Sequence, residues 1–385
     1  MRTILTQILM SRKLFSGLAL ASLLFANCGG SATPAAQTGP QIITLGALAP
    51  LTGDAASYGI DMQHSAGLAL KDVNAAWAAQ GMTLKLQWEN GACNGKDAAT
   101  AAQKLVDADG VQVILGGFCS SETLAAAPIT EAAKVVLFSS GSSSPDVTNA
   151  GEYVYRNWPS DSFQGTKLAE FAEQNEWKTV AMISEETDYA KGIAGAFIAK
   201  FKDLGGTVNE EKYLSDDTDF KTQITKLKAT NPDVWFVNPQ TPVKADVLFK
   251  QMKDLGIAGP FLLNDVAGTA SDLLTNYKDY LEGSYTATLY IDEESQGVKD
   301  FKANFKATYA TDPQYLGYDL TTYDAVWILA NAVAKVGNDG EAVQAYLDSF
   351  DGYDGLSGHI SFDGNGDPIT GHSVYKIVNG VIVKQ

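Results

Sequence analysis

The chain has 385 residues, 45% of them hydrophobic and 19% charged, with a formal net charge of −17. That length favours two lobes over one, and that composition supports a sizeable buried core. So acidic a surface repels phosphate backbones, so nucleic acid is not an expected partner; a small zwitterion, which feels only its local site, is not excluded.

The N-terminal residues read as a targeting segment. Arg2, Arg12 and Lys13 precede the apolar run Leu14 to Ala26, which is too short to span a bilayer as a stable helix. Cys28 follows, then Gly29, Gly30, Ser31 and a Pro/Ala/Thr/Gln stretch to Pro40. This pattern resembles a bacterial lipoprotein signal: residues 1–27 are removed, Cys28 carries lipid and residues 28–40 form a flexible tether. Asn27 departs from the small residue usual at that point, and plain secretion is the alternative. No later run reaches the roughly 18 apolar residues that a spanning helix needs. With Cys28 set aside, Cys93 and Cys119 remain as a pair in an oxidising compartment, where a bridge would persist. Two cysteines without nearby histidines do not make a metal site, and no cofactor is implied.

From Gln41 onward, short apolar runs alternate with helical periodicity. Ile42 to Leu48, Leu84 to Trp88, Val111 to Leu115 and Val135 to Ser139 read as strands. Between them Ala66, Leu70, Val73 and Trp77 recur at helical spacing, as do Ala98, Ala101, Leu105 and Ala108. The pattern restarts at Ser160. Strands are expected at Thr179 to Ser184, Thr207 to Tyr213, Val234 to Asn238 and Phe261 to Asn264. Helices are expected at Tyr189 to Leu204, Phe220 to Ala229 and Val243 to Leu255. A strand at Ser284 to Tyr290, helices at Gly297 to Tyr309 and Thr321 to Val336, and short antiparallel strands from Gly355 to Gln385 complete the chain. Alternation of this kind implies an α/β protein with two mainly parallel sheets flanked by helices, the chain crossing between lobes more than once.

Ligands of open parallel sheets bind beyond the carboxyl ends of the strands. The residues found there are Pro50 to Tyr58, Phe118 to Ser121 and Ser139 to Ser144 in the first half, and Glu185 to Tyr189, Asn238 to Gln240 and Asn264 to Asp265 in the second. One half offers hydroxyls and helix-start N–H groups, which suit a carboxylate. The other offers aromatic rings and a carboxylate, which suit an ammonium. Taken singly, Ser120 and Ser121 also read as helix caps and Ser139 to Ser144 as a plain loop.

Together these residues resemble the leucine/isoleucine/valine-binding family of periplasmic proteins that serve ABC transporters. The likeness runs from about Gln41 to the C-terminus and is most specific from Ala92 to Ser121; Thr52-Gly53, Tyr58-Gly59, Phe138 to Pro145, Asp188-Tyr189, Thr321 to Ala325 and Gly358 to Asp367 add to it. The resemblance implies a type I periplasmic binding protein fold: two Rossmann-like lobes joined by a multi-strand hinge, with lobe 1 at residues 41–159 plus 290–357 and lobe 2 at 160–289 plus 358–385. It implies that the Ser120 hydroxyl and N–H, with the Ser143 N–H, hold a ligand carboxylate, and that the Gly141 carbonyl, the Ser143 hydroxyl and Asp265 hold its ammonium. Tyr58, Phe118 and Tyr318 would line the side-chain pocket, Tyr189 would close over it, and a Cys93–Cys119 bridge would fix the loop carrying Ser120. Three positions depart from the family pattern: Asp265 stands for a longer Glu, Gln240 for a Tyr and Phe118 for a smaller aliphatic residue.

The function so implied is capture of a neutral, aliphatic (branched-chain) L-amino acid such as leucine, isoleucine or valine by a monomer anchored through Cys28 at the periplasmic or outer face of the membrane, and delivery to an ABC permease. The alternatives are a urea- or amide-binding relative and an amino-acid sensor module. An enzyme is not expected: His64, His359 and His372 stand in no nucleophile or zinc motif, and neither a P-loop nor GxGxxG occurs. Asp363, Asn365 and Asp367 resemble the start of a calcium loop but lack its downstream Glu, so a Gly-rich turn is expected there.

Overall fold

The computed structural model describes residues 41–385, so the expected signal segment 1–27, Cys28 and the tether 28–40 lie outside the described residues. In the first half, β1 (Gln41–Ala49), β2 (Met82–Asn90), β3 (Val113–Gly116), β4 (Val136–Ser139) and β5 (Val154–Arg156) form one sheet in the order β2-β1-β3-β4-β5. Every pairing in it is parallel. Parallel neighbours need crossover helices, and α1 (Ala56–Trp77), α2 (Gly95–Gln103) and α3 (Ser120–Ala133) supply them. β3 and β4 are buried along their whole length, which is why each reads as an unbroken apolar run. β5, at three residues, is too short to show a period and is absent from the sequence reading.

The second half holds α4 (Asp161–Gln174), β6 (Thr179–Glu185), α5 (Asp188–Asp203), β7 (Thr207–Tyr213), α6 (Lys221–Lys228), β8 (Val234–Asn238), α7 (Pro242–Asp254), β9 (Phe261–Leu263), α8 (Asp265–Thr269), α9 (Ser271–Asn276) and β10 (Tyr285–Leu289). α10 (Gln296–Tyr309), α11 (Leu316–Val336) and α12 (Gly340–Asp348) come next, then β11 (Tyr353–Gly355), β12 (Gly358–Ile360), β13 (His372–Val378) and β14 (Val381–Lys384). The second sheet has the order β14-β13-β10-β9-β8-β6-β7, with β13 and β14 antiparallel at one edge. α10 and α11 pack on α1, and α12 on α11 and β4, so after β10 the chain returns to the first lobe before β13 joins the second sheet.

Two of the expected helices shift. The stripe Ala98, Ala101, Leu105, Ala108 is not one α-helix: α2 stops at Gln103 and Lys104–Ala108 widens into a π turn, closed by the Asp109 N–H on the Lys104 carbonyl at 3.0 Å. That extra residue per turn rotates Ala108 out to solvent. The helix expected from Thr321 begins at Leu316, which puts Tyr318 in its first turn. The lobe boundary expected after residue 357 falls inside the β11–β12 hairpin. Beyond it, Phe362 packs on Phe138 and Tyr155, and Asp367 pairs with Arg156, all of them first-lobe partners.

Candidate functional site

The first wall of the cleft grows from β3 and β4. After β3 the chain turns into α3, whose first residue is Ser120, so unpaired helix-start N–H groups gather there. The turn is held by the Cys93–Cys119 disulfide, with Cα atoms 5.3 Å apart. Buried Glu122 holds it as well, accepting the N–H groups of Cys93 at 2.9 Å and Cys119 at 3.0 Å. Burial pushes Glu122 up to about 7, against the lowering effect of those N–H groups.

The serine run after β4 is engaged within its own lobe. Ser139 Oγ donates to the Gly117 carbonyl at 2.6 Å and accepts the Ser142 N–H at 2.9 Å. Ser120 Oγ accepts the N–H groups of Ser143 (3.3 Å) and Ser144 (3.1 Å). From α11, Thr321 Oγ1 donates to the Ser140 carbonyl at 2.8 Å. Arg156 spends all five N–H donors on this loop and its brace: the carbonyls of Ser142 (3.4 Å) and Ser144 (2.8 Å), Thr148 Oγ1 (2.9 Å), and both Asp367 oxygens (2.7 Å each). The calcium-like DGNGDP stretch is thus a turn, closed by Asp363 Oδ1 on the N–H groups of Asn365 and Asp367, and its last acid braces the serine loop through Arg156.

The second wall comes from α4, α5 and α8. Asp265 opens α8 directly after β9 and is fully buried. Its Oδ1 accepts from Gln164 Nε2 (2.8 Å) and the Tyr189 hydroxyl (2.5 Å), and its Oδ2 from the Tyr318 hydroxyl (2.5 Å). Burial first, then the Asp265 charge, pushes Tyr189 and Tyr318 well above the usual phenol range, so both remain donors. Tyr318 belongs to the first lobe, so its bond spans the cleft. Tyr58 Oη to the Gln240 carbonyl (3.4 Å), Gln240 Nε2 to Cys93 Sγ (2.6 Å) and Lys244 Nζ to Asp54 (3.4 Å) also span it. Glu185, accepting the Gln240 N–H at 2.7 Å, fixes Gln240 in place.

Between the walls lies a cavity lined by seven of the nine residues singled out in the sequence: Tyr58, Phe118, Ser120, Gly141, Tyr189, Gln240 and Tyr318. Ser143 and Asp265 do not line it; both are fully buried, and Asp265 stands behind Tyr189 and Tyr318. Room for water-sized centres is about 20 Å³, that of one or two water molecules. Phe118 accounts for much of the tightness. Its ring centroid is 5.3 Å from Tyr58 and 5.1 Å from Tyr318, and Gly141 lies under it so closely that a Cβ there would sit 2.7 Å from the ring. Trp158 stacks on Tyr318 at 4.0 Å.

Sequence reading missed Val266 in the lining, and Trp158, Arg156, Asp161 and Gln164 behind it. For two of these a signal existed. Ser160 caps α4 through the Ser162 N–H, and Asp161 and Gln164 follow at a spacing of three, on one helix face. Among the described residues no cluster of three His, Cys, Asp or Glu could hold a metal ion.

Residues 42–380 match the family described as periplasmic binding protein. The leucine-, isoleucine-, valine-, threonine- and alanine-binding protein of Pseudomonas aeruginosa is 29% identical over 92% of this chain and 92% of its own length. Among solved structures, the leucine binding protein LivK of Thermotoga maritima superposes with a TM-score of 0.79 at 28% identity, covering 89% of this chain and 97% of that one. The isoleucine complex of the branched-chain amino acid transporter substrate binding protein LivJ of Streptococcus pneumoniae gives 0.78 at 26% identity, covering 90% of this chain and all of that one. A match that runs through both sheets and the cleft between them makes this chain a member of the periplasmic binding protein family.

Proposed function

We propose that the protein captures a small neutral L-amino acid, aliphatic side chains preferred, between its lobes and presents it to an ABC permease. One observation carries this reading: the cavity between the lobes has the N-terminus of α3 with Ser120 on its first-lobe side, and the buried Asp265 stands behind Tyr189 and Tyr318 on the other. A carboxylate is favoured at the first and an ammonium at the second. The names and bound isoleucine of the similar proteins support the same ligand class. Ser120, Gly141 and Ser143 take the α-amino-acid handle with Asp265, while Tyr58, Phe118, Gln240 and Tyr318 shape the side-chain pocket and Tyr189 closes it. The shorter Asp265, polar Gln240 and bulky Phe118 favour small side chains within that class.

Binding closes a hinged clamp. Its moving bodies are residues 41–159 with 290–357 and 160–289 with 358–385, the stretch 358–368 travelling with the first because Arg156 grips Asp367. A monomer tethered outside the cell membrane through lipid on Cys28 completes the reading.

Thermal unfolding of the full chain, stripped of ligand, against each common amino acid, urea and simple amides tests it. A ligand at 100 times its Kd stabilises by about 2.7 kcal/mol, visible as a higher Tm. A selective rise with alanine, valine, leucine or isoleucine is expected. A rise with urea or amides alone would remove the ammonium role of Asp265.

A further inference from the structure

The turn that carries Ser120 is built around an acid. Glu122, in the first turn of α3, is fully buried and sits in a niche between two glycines. A Cβ on Gly91 would lie 2.3 Å from its Oε1, and one on Gly117 would lie 2.5 Å from its Cβ, so the side chain fits only because neither residue has one. Its Oε1 accepts the Cys93 N–H at 2.9 Å and its Oε2 the Cys119 N–H at 3.0 Å. The next N–H along the chain is that of Ser120, the one proposed above to hold the ligand carboxylate. Glu122 and the ligand carboxylate thus draw on neighbouring N–H groups at one helix start.

No counter-charge stands between them. Burial raises the Glu122 carboxyl to about 7, the N–H groups of Cys119, Cys93 and Phe118 act the other way, and no charged side chain among the described residues takes part. On α2, which follows Cys93, Lys96 and Asp97 are exposed, and Asp97 is taken by Asn94 at 2.8 Å. Further along α3, Glu131 is occupied by the Tyr153 N–H at 2.6 Å. A second negative charge entering a dry site beside a carboxyl raises that carboxyl further. The ligand-bound state then holds more protons than the free one, so affinity falls as pH rises through about 7.

We propose that Glu122 is a positioning residue of the carboxylate-binding turn, and that it takes up a proton from solvent as the ligand's carboxylate arrives, so that mild acidity favours capture. This rests on the amino-acid reading above and deepens it. One O–H bond forms on a Glu122 oxygen and no other bond changes; the other oxygen goes on accepting an N–H. The negative charge at the start of α3 passes in this way from Glu122 to the ligand, and the helix start answers one anion at a time. Without a ligand, the Glu122 carboxylate fills that role and holds the loop of Cys93 against the loop of Cys119.

Isothermal titration of the full chain and of its Glu122→Gln variant with L-alanine, L-valine, L-isoleucine and L-leucine tests the assignment, at several pH values between about 6 and about 8 that bracket the raised carboxyl. Two buffers of different ionisation enthalpy at each pH give the protons exchanged as well as the affinity. The wild-type chain is expected to take up more protons on binding than the variant. Its affinity is expected to fall across that range by at least about threefold more than the variant's, the effect of raising Glu122 by about half a pH unit. Equal proton exchange and equal pH profiles overturn the proposal. That includes a variant weaker by one constant factor at every pH, because Glu122 then does no more than hold the turn. Glu122→Ser replaces the variant if Gln does not fold, and if neither folds the wild-type proton balance decides, zero or net release overturning the proposal. Binding without the proton difference overturns this proposal alone; a wild-type chain that binds no amino acid at any pH overturns the proposed function and this proposal with it.

Discussion

On the serine wall most polar atoms are engaged before any ligand arrives: Ser120, Ser139 and Ser142 are bonded within the first lobe, the Ser143 hydroxyl being the exception, and Arg156 and α11 hold their loop from behind. Across the cleft, Asp265 takes its bonds partly from the opposite lobe, through the Tyr318 hydroxyl. The first wall is a preorganised mould, and the second is finished only when the lobes meet around a positive charge. Preorganisation lowers the ordering cost of binding. An incomplete acid wall makes closure depend on the ligand, because closing on an uncharged guest leaves buried acids uncompensated.

The sharpest way to break that contrast is to remove one acceptor from each wall. Asp265→Ala is expected to weaken amino-acid binding by about 3–5 kcal/mol, since it strands a buried ammonium. Ser120→Ala should cost less, about 1.5–3 kcal/mol, the worth of a hydrogen bond to a charged group. Calorimetric titration gives both numbers, and equal losses would mean that the walls do not differ.

The mould itself hangs on the disulfide. A bridge across a separation of 26 residues stabilises by about 3.5 kcal/mol on chain entropy. The double variant Cys93→Ser, Cys119→Ser should lose that much in urea unfolding, and its remaining affinity for the amino acid reports how far Glu122 alone can hold the Ser120 turn.

On the acid side the matching handle is His372 of β13, buried with neither ring nitrogen hydrogen-bonded. Burial pushes it down to about 4, Asp265 pulling it up and Arg156 pushing it down. Its folded value lies below the unfolded one of about 6.5, so its contribution is complete above about pH 6.5 and is lost as pH falls toward 4, about 3 kcal/mol in all. Glu122 has the opposite sign: raised to about 7, it favours the folded state at low pH. The difference between wild type and His372→Leu isolates the histidine. That difference should shift in the variant's favour by about 3 kcal/mol between pH 7 and pH 4 in urea unfolding.

How much of this was legible in the sequence differs between the walls in the same way. The strands β3 and β4 are fully buried apolar runs, and the serines follow their strands within one loop, so local pattern sufficed for the mould. The acid wall is assembled from α4, α5, α8, α11 and β13, and which carboxylates meet there depends on the return of the chain after β10. Asp265 was marked by its place just after a strand, and the family resemblance added its role. Asp161 follows the Ser160 cap as a first-turn acid of α4, and its full burial comes only from packing between the lobes. The role of Asp367 was hidden for the same reason: its partner Arg156 lies 211 residues away.

The smallest effect is expected where the two walls touch at the rim. Lys244 is buried on the second lobe and its ammonium reaches Asp54 of the first at 3.4 Å. Asp54 is half exposed, with 53% of its side-chain surface open, so water and salt screen the pair and its worth is about 0.5 kcal/mol or less. A bond that spans the cleft and is broken on opening acts on release more than on capture. Asp54→Asn is therefore expected to speed amino-acid dissociation about twofold at low ionic strength, by stopped-flow tryptophan fluorescence, and to match wild type near 1 M salt, where the screening length falls to about 3 Å. A tenfold change, or one indifferent to salt, would put the rim among the determinants of closure and remove the acid wall's claim to be the part that the ligand completes.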